Sequence, residues 1–147
     1  MGYHCDQDVH VVILASKEAK VRSIMRTLDR RGKKEGSGGS WQGGKQTGRW
    51  WAWVANGFSK KATVEEMFGA WGYECKQVID PKTKAKAFVL NGCLSEKLGQ
   101  EEMLWLAMAP VVQDGSYIDL RGEDDAMWRW CFEKGKMLEK QAKVTYE

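Results

Sequence analysis

The chain has 147 residues and a formal net charge of +3; 43% of the residues are hydrophobic and 29% are charged. This length and composition are typical of one globular domain covering residues 1–147, and no stretch approaches the about 20 apolar residues of a membrane-spanning helix. The first residues also lack the basic and then apolar run of a signal peptide, so we expect a cytoplasmic protein without a membrane partner. Two features are unusual: eight Trp residues, and 12 Lys/Arg against 5 Asp/Glu in residues 1–61.

The first predicted elements are a strand and a helix. Residues 9–14 are apolar and rich in β-branched side chains, which predicts a strand. Ser16 is a suitable N-cap for a helix over residues 17–31, where apolar side chains recur at helical spacing. These side chains are Val21, Ile24, Met25 and Leu28. Gly32 follows the last periodic residue, so we expect the helix to end there.

The next segment is dominated by glycine. Residues 32–48 contain seven glycines and Trp41 as their one large apolar residue, and this composition predicts a long flexible loop. Residues 49–55 then read as a strand of aromatic and small apolar residues. In that strand Trp51 and Trp53 would share one face, and Trp50 would lie on the other.

Two helices and a hairpin are predicted in the middle of the chain. Residues 63–66 read Thr-Val-Glu-Glu, a capping box that opens a short helix with an apolar stripe ending at Trp71. Residues 73–79 and 85–90 are predicted strands joined by a polar turn over 80–84. A third helix covers residues 101–108 and begins with two acidic side chains at its positive end.

Three strands are expected after Gly115. Alternating side chains predict strands over 116–121, 127–133 and 138–146, with Lys134-Gly135 as the tight turn between the last two. The result is an α+β fold: an antiparallel sheet of six to seven strands with about three helices on one face. A ferredoxin-like arrangement is compatible with this order of elements.

Two runs rich in tryptophan allow three interpretations. Trp128, Trp130 and Phe132 have the parity that a core-facing strand requires, and the same spacing would also serve a protein interface or a platform for stacking nucleobases. The core is favoured, because three exposed aromatic side chains in a row would form a large apolar patch. The run at 49–54 is the better interface candidate, since tryptophan is enriched at binding hot spots.

Basic side chains mark the candidate binding surface. The helix over 17–31 and the residues after it are rich in Lys and Arg, and a solvated helix face or a cationic arm that binds phosphates or an acidic protein would both produce this pattern. The predicted partner-binding residues are Arg22, Arg26, Arg30, Arg31, Lys33, Lys34, Trp41, Lys45, Arg49 and Trp50.

No motif for catalysis or metal binding stands out, and we expect no catalytic residues, metal or cofactor. Residues 39–45 approach a phosphate-binding loop, but Gln46 replaces the required Ser/Thr and a helix precedes the segment instead of following it. His4 and His10 would be about 20 Å apart on an extended strand, too far for one metal ion. The four cysteines form no CxxC pair and are expected to be reduced and mostly buried.

Several segments resemble small uncharacterised proteins encoded by phages and prophages. They are residues 1–3 with the predicted strand and helix that follow them, and residues 65–73, 115–118, 121–124 and 128–132. The resemblance covers about a third of the chain, implies an α+β, ferredoxin-like arrangement, and transfers no site residues. The glycine-rich segment departs from it.

The resemblance implies a non-enzymatic accessory protein in a bacterial cytoplasm that binds and blocks a host macromolecule. An inhibitor of antiviral defence such as CRISPR-Cas, acting on a host protein or ribonucleoprotein complex, is the leading hypothesis. A nucleic-acid-binding protein using residues 17–34 and a protein that sequesters a nucleotide are the alternatives. The protein is expected to be either a monomer or a homodimer.

Overall fold

The computed structural model describes residues 2–80 and 83–143, and it contains one large antiparallel sheet, one separate hairpin and three α-helices within these ranges. The strands are β1 (Tyr3–Leu14), β2 (Gly38–Gln42), β3 (Lys45–Trp50), β4 (Tyr73–Ile79), β5 (Lys86–Cys93), β6 (Lys97–Leu98), β7 (Tyr117–Gly122), β8 (Met127–Glu133) and β9 (Lys136–Gln141). The helices are α1 (Glu18–Glu35), α2 (Val64–Ala70) and α3 (Glu101–Met108). The α+β fold class is confirmed.

The large sheet has the spatial order β4-β5-β1-β7-β8-β9, and β6 pairs with the beginning of β1. Its centre is a βαββαβ unit formed by β1, α1, β4, β5, α3 and β7, whose strands lie in the order β4-β5-β1-β7. This connectivity agrees with a ferredoxin-like arrangement. The hairpin β2–β3 and α2 are inserted between α1 and β4, and β8 and β9 extend the sheet beyond β7.

The sheet has one buried face and one exposed face. Along β1, Val9, Val11 and Ile13 are fully buried, whereas Asp8 and His10 between them are exposed. The buried side chains of α1, α2 and α3 belong to the same core cluster as those of β1, so all three helices cover that face. The opposite face is called the helix-free face below. No helix in the described ranges is long and apolar enough to cross a membrane.

Strand β8 faces the core, as the parity of its aromatic residues predicts. Trp130 lies opposite the core residue Ile118 of β7; Trp130 and Phe132 are 2% and 1% exposed, and Trp128 is partly buried. The Phe132 ring packs edge-on against Trp105 of α3, with centroids 5.8 Å apart. A base-stacking platform on these three side chains is therefore excluded.

The short central elements also match their sequence signals. The Thr63 hydroxyl accepts a hydrogen bond from the Glu66 amide at 3.1 Å, which is the predicted cap of α2. Helix α3 has the predicted bounds, and β4 pairs with β5 as predicted. Of the turn between them, residues 81–82 lie outside the described residues.

Five predictions about the elements are wrong. Ser16 does not cap α1, because it lies in a single 3-10 turn (Ala15–Lys17) and the residue at the start of α1, Lys17, makes no side-chain capping hydrogen bond. Helix α1 continues past Gly32 to Glu35, and residues 38–50 form the hairpin β2–β3 instead of a loop. The predicted strand over 49–55 ends at Trp50 because Trp53 has a positive φ of 63°, and so Trp51 is buried while Trp53 is exposed.

The last error is the side of β9 that faces the core: the sequence predicts an apolar face formed by Leu138, Ala142, Val144 and Tyr146, which share a parity. Both turn residues, Lys134 and Gly135, have positive φ, so the predicted two-residue turn is confirmed and places Lys136 opposite Glu133. This register directs Met137 to the core side and Leu138 to the helix-free face. The remaining predicted strand residues, 144–146, lie outside the described residues.

Candidate functional site

Most of the predicted binding residues lie around the β2–β3 hairpin and the end of α1 that supports it. We define the hairpin surface as Arg30, Lys33, Lys34, Trp41, Lys45, Arg49 and Trp50. Between residues 17 and 50 the chain carries ten Lys/Arg and three Asp/Glu, so this region is strongly cationic. Trp41 is 66% exposed and lies at a bulge in β2, close to the tip of the hairpin.

The glycines of the hairpin are required by close backbone contacts. A Cβ atom on Gly39 would lie 2.0 Å from the carbonyl oxygen of Gly48, and one on Gly36 would lie 2.0 Å from that of Trp50. Gly43 and Gly44 form the two-residue turn, both with positive φ, which glycine adopts without steric cost. The high glycine content, which predicts flexibility, is therefore a requirement of a tightly paired hairpin.

Gln100 fastens the hairpin to the rest of the molecule. Its Oε1 accepts hydrogen bonds from the Ser37 amide at 2.7 Å, the Ser37 hydroxyl at 3.0 Å and the Ala52 amide at 3.2 Å. Its Nε2 donates to the Glu35 carbonyl at 3.0 Å. One side chain thus ties the end of α1 to both ends of the hairpin segment. Sequence reasoning missed Gln100, because a single glutamine before a helix carries no distinctive signal.

Trp51 anchors the chain directly after the hairpin. Its indole Nε1 donates to the Leu28 carbonyl at 2.8 Å, and its ring lies against Gly32, where a Cβ atom would be 3.0 Å away. Gly32 is therefore a packing position inside α1, which explains why the helix does not end there. Trp51 is core, and the adjacent Trp50 remains half-buried at the surface.

A cavity of about 300 Å³ opens between the hairpin and α1. Trp50, Trp51 and Phe58 form apolar walls. Lys33 and Arg49 are exposed at the cavity, and Asp29 provides a carboxylate that also accepts a hydrogen bond from the Ser59 hydroxyl at 2.5 Å. The Arg49 Nε donates to the Gly36 carbonyl at 2.5 Å, which fixes its guanidinium beside the cavity. The structure thus brings together Lys33, Arg49 and Trp50 of the predicted set.

The remaining cations of α1 do not share one face. At about 100° per residue, Arg22, Arg26 and Lys33 lie on one flank of the helix, Arg31 lies on the other, and Arg30 and Lys34 point away from the core.

Three of these cations have local partners. The Arg22 Nε pairs with Glu18 at 3.0 Å, and its Nη2 donates to the Ala62 carbonyl. Arg31 pairs with Glu35 at 2.6 Å, and this hydrogen bond lowers the pKa of Glu35. Arg30 donates to the uncharged Thr27 hydroxyl at 3.3 Å and so keeps its charge unpaired by this contact. We place Arg22 and Arg31 outside the hairpin surface because they form ion pairs within α1, and Arg26 because it lies about 10 Å along the helix from Lys33.

A second exposed tryptophan lies near the base of the hairpin. Trp53 is 58% exposed, and the Lys97 ammonium is 5.1 Å from the centroid of its ring. A cation over an indole is a favourable contact, and more than half of the Trp53 surface remains accessible to a partner. The hairpin region therefore offers exposed indoles and cations together, which is the combination that binds single-stranded nucleic acids and anchors protein interfaces.

The described residues contain neither a metal-binding cluster nor a phosphate-binding loop. Across residues 2–80 and 83–143, no group of three His, Cys, Asp or Glu side chains is arranged to hold a metal ion. The sequence resembling a phosphate loop forms the tip of a β-hairpin, which lacks the helix N-terminus that such a loop requires. Glu101 is buried, burial raises its pKa, and its carboxylate accepts a hydrogen bond from the Gly99 amide at the beginning of α3.

In comparisons with known proteins, no family model, no curated protein and no solved structure matches the chain.

Proposed function

We propose that the protein is a non-enzymatic binding protein whose hairpin surface holds a single strand of nucleic acid. The cavity carries this proposal: the half-buried Trp50 lies at it, the buried Trp51 and Phe58 back it, and two cations, Lys33 and Arg49, are exposed beside it. A nucleobase is flat and aromatic, and the phosphate attached to it is anionic. A nucleotide therefore complements both parts of the site.

The rest of the hairpin offers further stacking and charge contacts to the next nucleotides of a bound nucleic-acid strand. Trp41 provides an exposed ring on which a second base can stack, and Lys45 follows the turn next to it. Stacking on an aromatic side chain contributes about 1–3 kcal/mol per base and is tolerant of sequence. We therefore expect weak sequence preference and a strong dependence on salt.

The experiment is fluorescence anisotropy with a short labelled single-stranded oligonucleotide at several salt concentrations. Trp41→Ala removes stacking but no charge, so affinity should fall about fivefold or more while the slope of log K against log salt stays unchanged. Lys45→Ala should reduce that slope by about 0.7, the value for one phosphate contact on a single strand. Lys76→Ala, an exposed lysine of β4, is the matched control and should change neither quantity.

A slope near zero for the wild type would overturn the proposal, as would equal effects of Lys45→Ala and Lys76→Ala. Mass spectrometry of material released on denaturation tests the related hypothesis that the cavity retains a free nucleotide.

A second candidate function uses the same surface against a protein. Trp41 and Trp53 are exposed indoles of the kind that anchor interfaces, and the resemblance to phage proteins implies a host defence complex as the target. In this case the protein inhibits a purified CRISPR-Cas ribonucleoprotein and binds no free oligonucleotide. Trp53→Ala separates the two candidates: it should weaken a protein interface and leave oligonucleotide binding at the cavity unchanged.

A further inference from the structure

The helix-free face carries an ordered row of charges that the hairpin surface does not use. Asp8 of β1, Asp119 of β7, Arg129 of β8 and Lys140 of β9 lie directly opposite one another in the strand register. Residues paired in this way project to the same side of a sheet. The side chains of the row are therefore negative on β1 and β7 and positive on β8 and β9.

The row borders a groove of about 660 Å³ that crosses the same four strands. Its other border is formed by Asp6, Arg121, Met127 and Ala142, which occupy the next outward-facing positions. The polypeptide backbone between the two rows forms the floor. Acidic side chains are concentrated at the β1 end, and the basic Lys140 and Lys143 are at the β9 end.

The centre of the row is held in place by local contacts. The Arg129 guanidinium donates two hydrogen bonds to Asp119, at 2.5 and 2.9 Å, and lies 4.2 Å from the centroid of the Tyr117 ring. His10 stacks on Tyr117 with centroids 4.7 Å apart, and its Nε2 is 3.0 Å from Asp8. These contacts pre-organise the charges, so a partner meets a fixed pattern.

We propose that the helix-free face binds a second copy of this chain, with a two-fold axis that runs parallel to the strands between β7 and β8. Rotation about this axis places β1 over β9 and β7 over β8 of the partner. Asp8 then faces a lysine at position 140, and Asp119 faces an arginine at position 129. Every charge in the row meets its opposite, because the pattern is antisymmetric about the axis.

The size of the face sets the strength of the association. Four strands span about 19 Å and six residues along a strand about 20 Å, so the face covers about 380 Å² per copy, below the about 600–1,000 Å² per partner of stable specific interfaces. Two exposed apolar side chains, Met127 at 41% and Leu138 at 44%, lie on the same face and contribute buried area. We therefore expect a weak, concentration-dependent dimer. Helix α1 covers the opposite face of the sheet, so the dimer is independent of the proposed nucleic-acid site.

The experiment is sedimentation equilibrium with charge-reversal variants. Asp8→Lys and Lys140→Asp each place like charges at both symmetric contacts, and each should raise the dimer dissociation constant about tenfold or more. An equimolar mixture of the two variants should associate as a heterodimer with roughly wild-type affinity, because each supplies the charge that the other lacks. The double variant should likewise recover homodimers.

Lys76→Asp, which reverses a charge on β4 outside the row, is the matched control and should leave the dissociation constant unchanged. Thermal unfolding of each variant verifies that its fold is retained, and recovery in the mixture cannot arise from an unfolded chain. A wild type that stays monomeric at high micromolar concentration would overturn the proposal. A dimer that survives Asp8→Lys, or a mixture no more associated than its components, would do the same.

Discussion

Two cysteines show how the core changes the chemistry of a single residue. Cys5 lies in β1 with its side chain in the core, and burial raises the pKa of its thiol to about 11. Cys75 on β4 is half-buried beside Glu65, and burial together with that carboxylate raises its pKa to about 12. A thiol reacts through its thiolate form, so both residues should be inert at neutral pH.

Alkylation at pH 8 tests this expectation. With pKa values near 11 and 12 instead of 9.0, the thiolate fractions of Cys5 and Cys75 are about 100-fold and 1,000-fold lower than in the unfolded chain. At pH 8 the native alkylation rates of Cys5 and Cys75 should therefore lie about 100-fold or more below their rates in the unfolded chain. Mass spectrometry after a timed iodoacetamide pulse measures each site, and the same pulse in urea gives the unfolded reference. Equal native and unfolded rates at pH 8 would contradict the burial argument.

At the scale of elements, local sequence patterns were sufficient to predict a strand or helix wherever one of its faces packs against the core. The period of β8, the acidic start of α3 and the capping box of α2 all led to elements that the structure contains. The segment 32–55 was misread because its conformation depends on distant partners. Gly36 and Gly39 are glycines because other backbones pass within contact distance, and composition alone cannot distinguish that from flexibility.

Several residues of the candidate site could be predicted from the sequence, but their arrangement could not, because it also depends on contacts between distant residues. Lys33, Arg49 and Trp50 were identified by their charge and aromatic character, but the cavity they share is created by the packing of Trp51 on Gly32. Gln100 lies 63 residues after Ser37 in the sequence, and no sequence pattern indicates that the two residues form a hydrogen bond.

Removing the Gln100 side chain should destabilise the hairpin. Gln100→Ala leaves the Ser37 and Ala52 amides and the Glu35 carbonyl without their protein partner, and we expect a loss of about 1–2 kcal/mol in the free energy of unfolding. Urea denaturation followed by tryptophan fluorescence measures this change. Gln77→Ala, an exposed glutamine of β4, is the control and should stay within about 0.5 kcal/mol of the wild type. Equal effects of the two substitutions would show that Gln100 does not hold the hairpin.

At the scale of the whole molecule, the core that determines stability and the hairpin surface that we propose as the binding site are different parts of the chain. One continuous core cluster joins β1, β5, β7 and β8 to all three helices, so these elements should unfold together. The β2–β3 hairpin is a separate two-stranded sheet, and most of its residues are exposed or only partly buried. A two-stranded hairpin is marginally stable in water, so its order depends on Gln100, Arg49 and Trp51.

Native-state hydrogen exchange should therefore divide the chain into two units. Amides of β2 and β3 should exchange through local opening, with protection well below that of amides in β1 and β7, which require global unfolding. Increasing urea below the unfolding transition should accelerate exchange in the large sheet and leave the hairpin almost unchanged, because local opening exposes little surface. An oligonucleotide bound at Trp41, Lys45 and the cavity, as proposed, has to dissociate before the hairpin opens or the whole chain unfolds. It should therefore slow exchange in the hairpin and in β1 and β7 alike. Hairpin amides with the same urea dependence as those of β1 and β7 would contradict the division into two units, and hairpin exchange unchanged by the oligonucleotide would contradict the proposed binding surface.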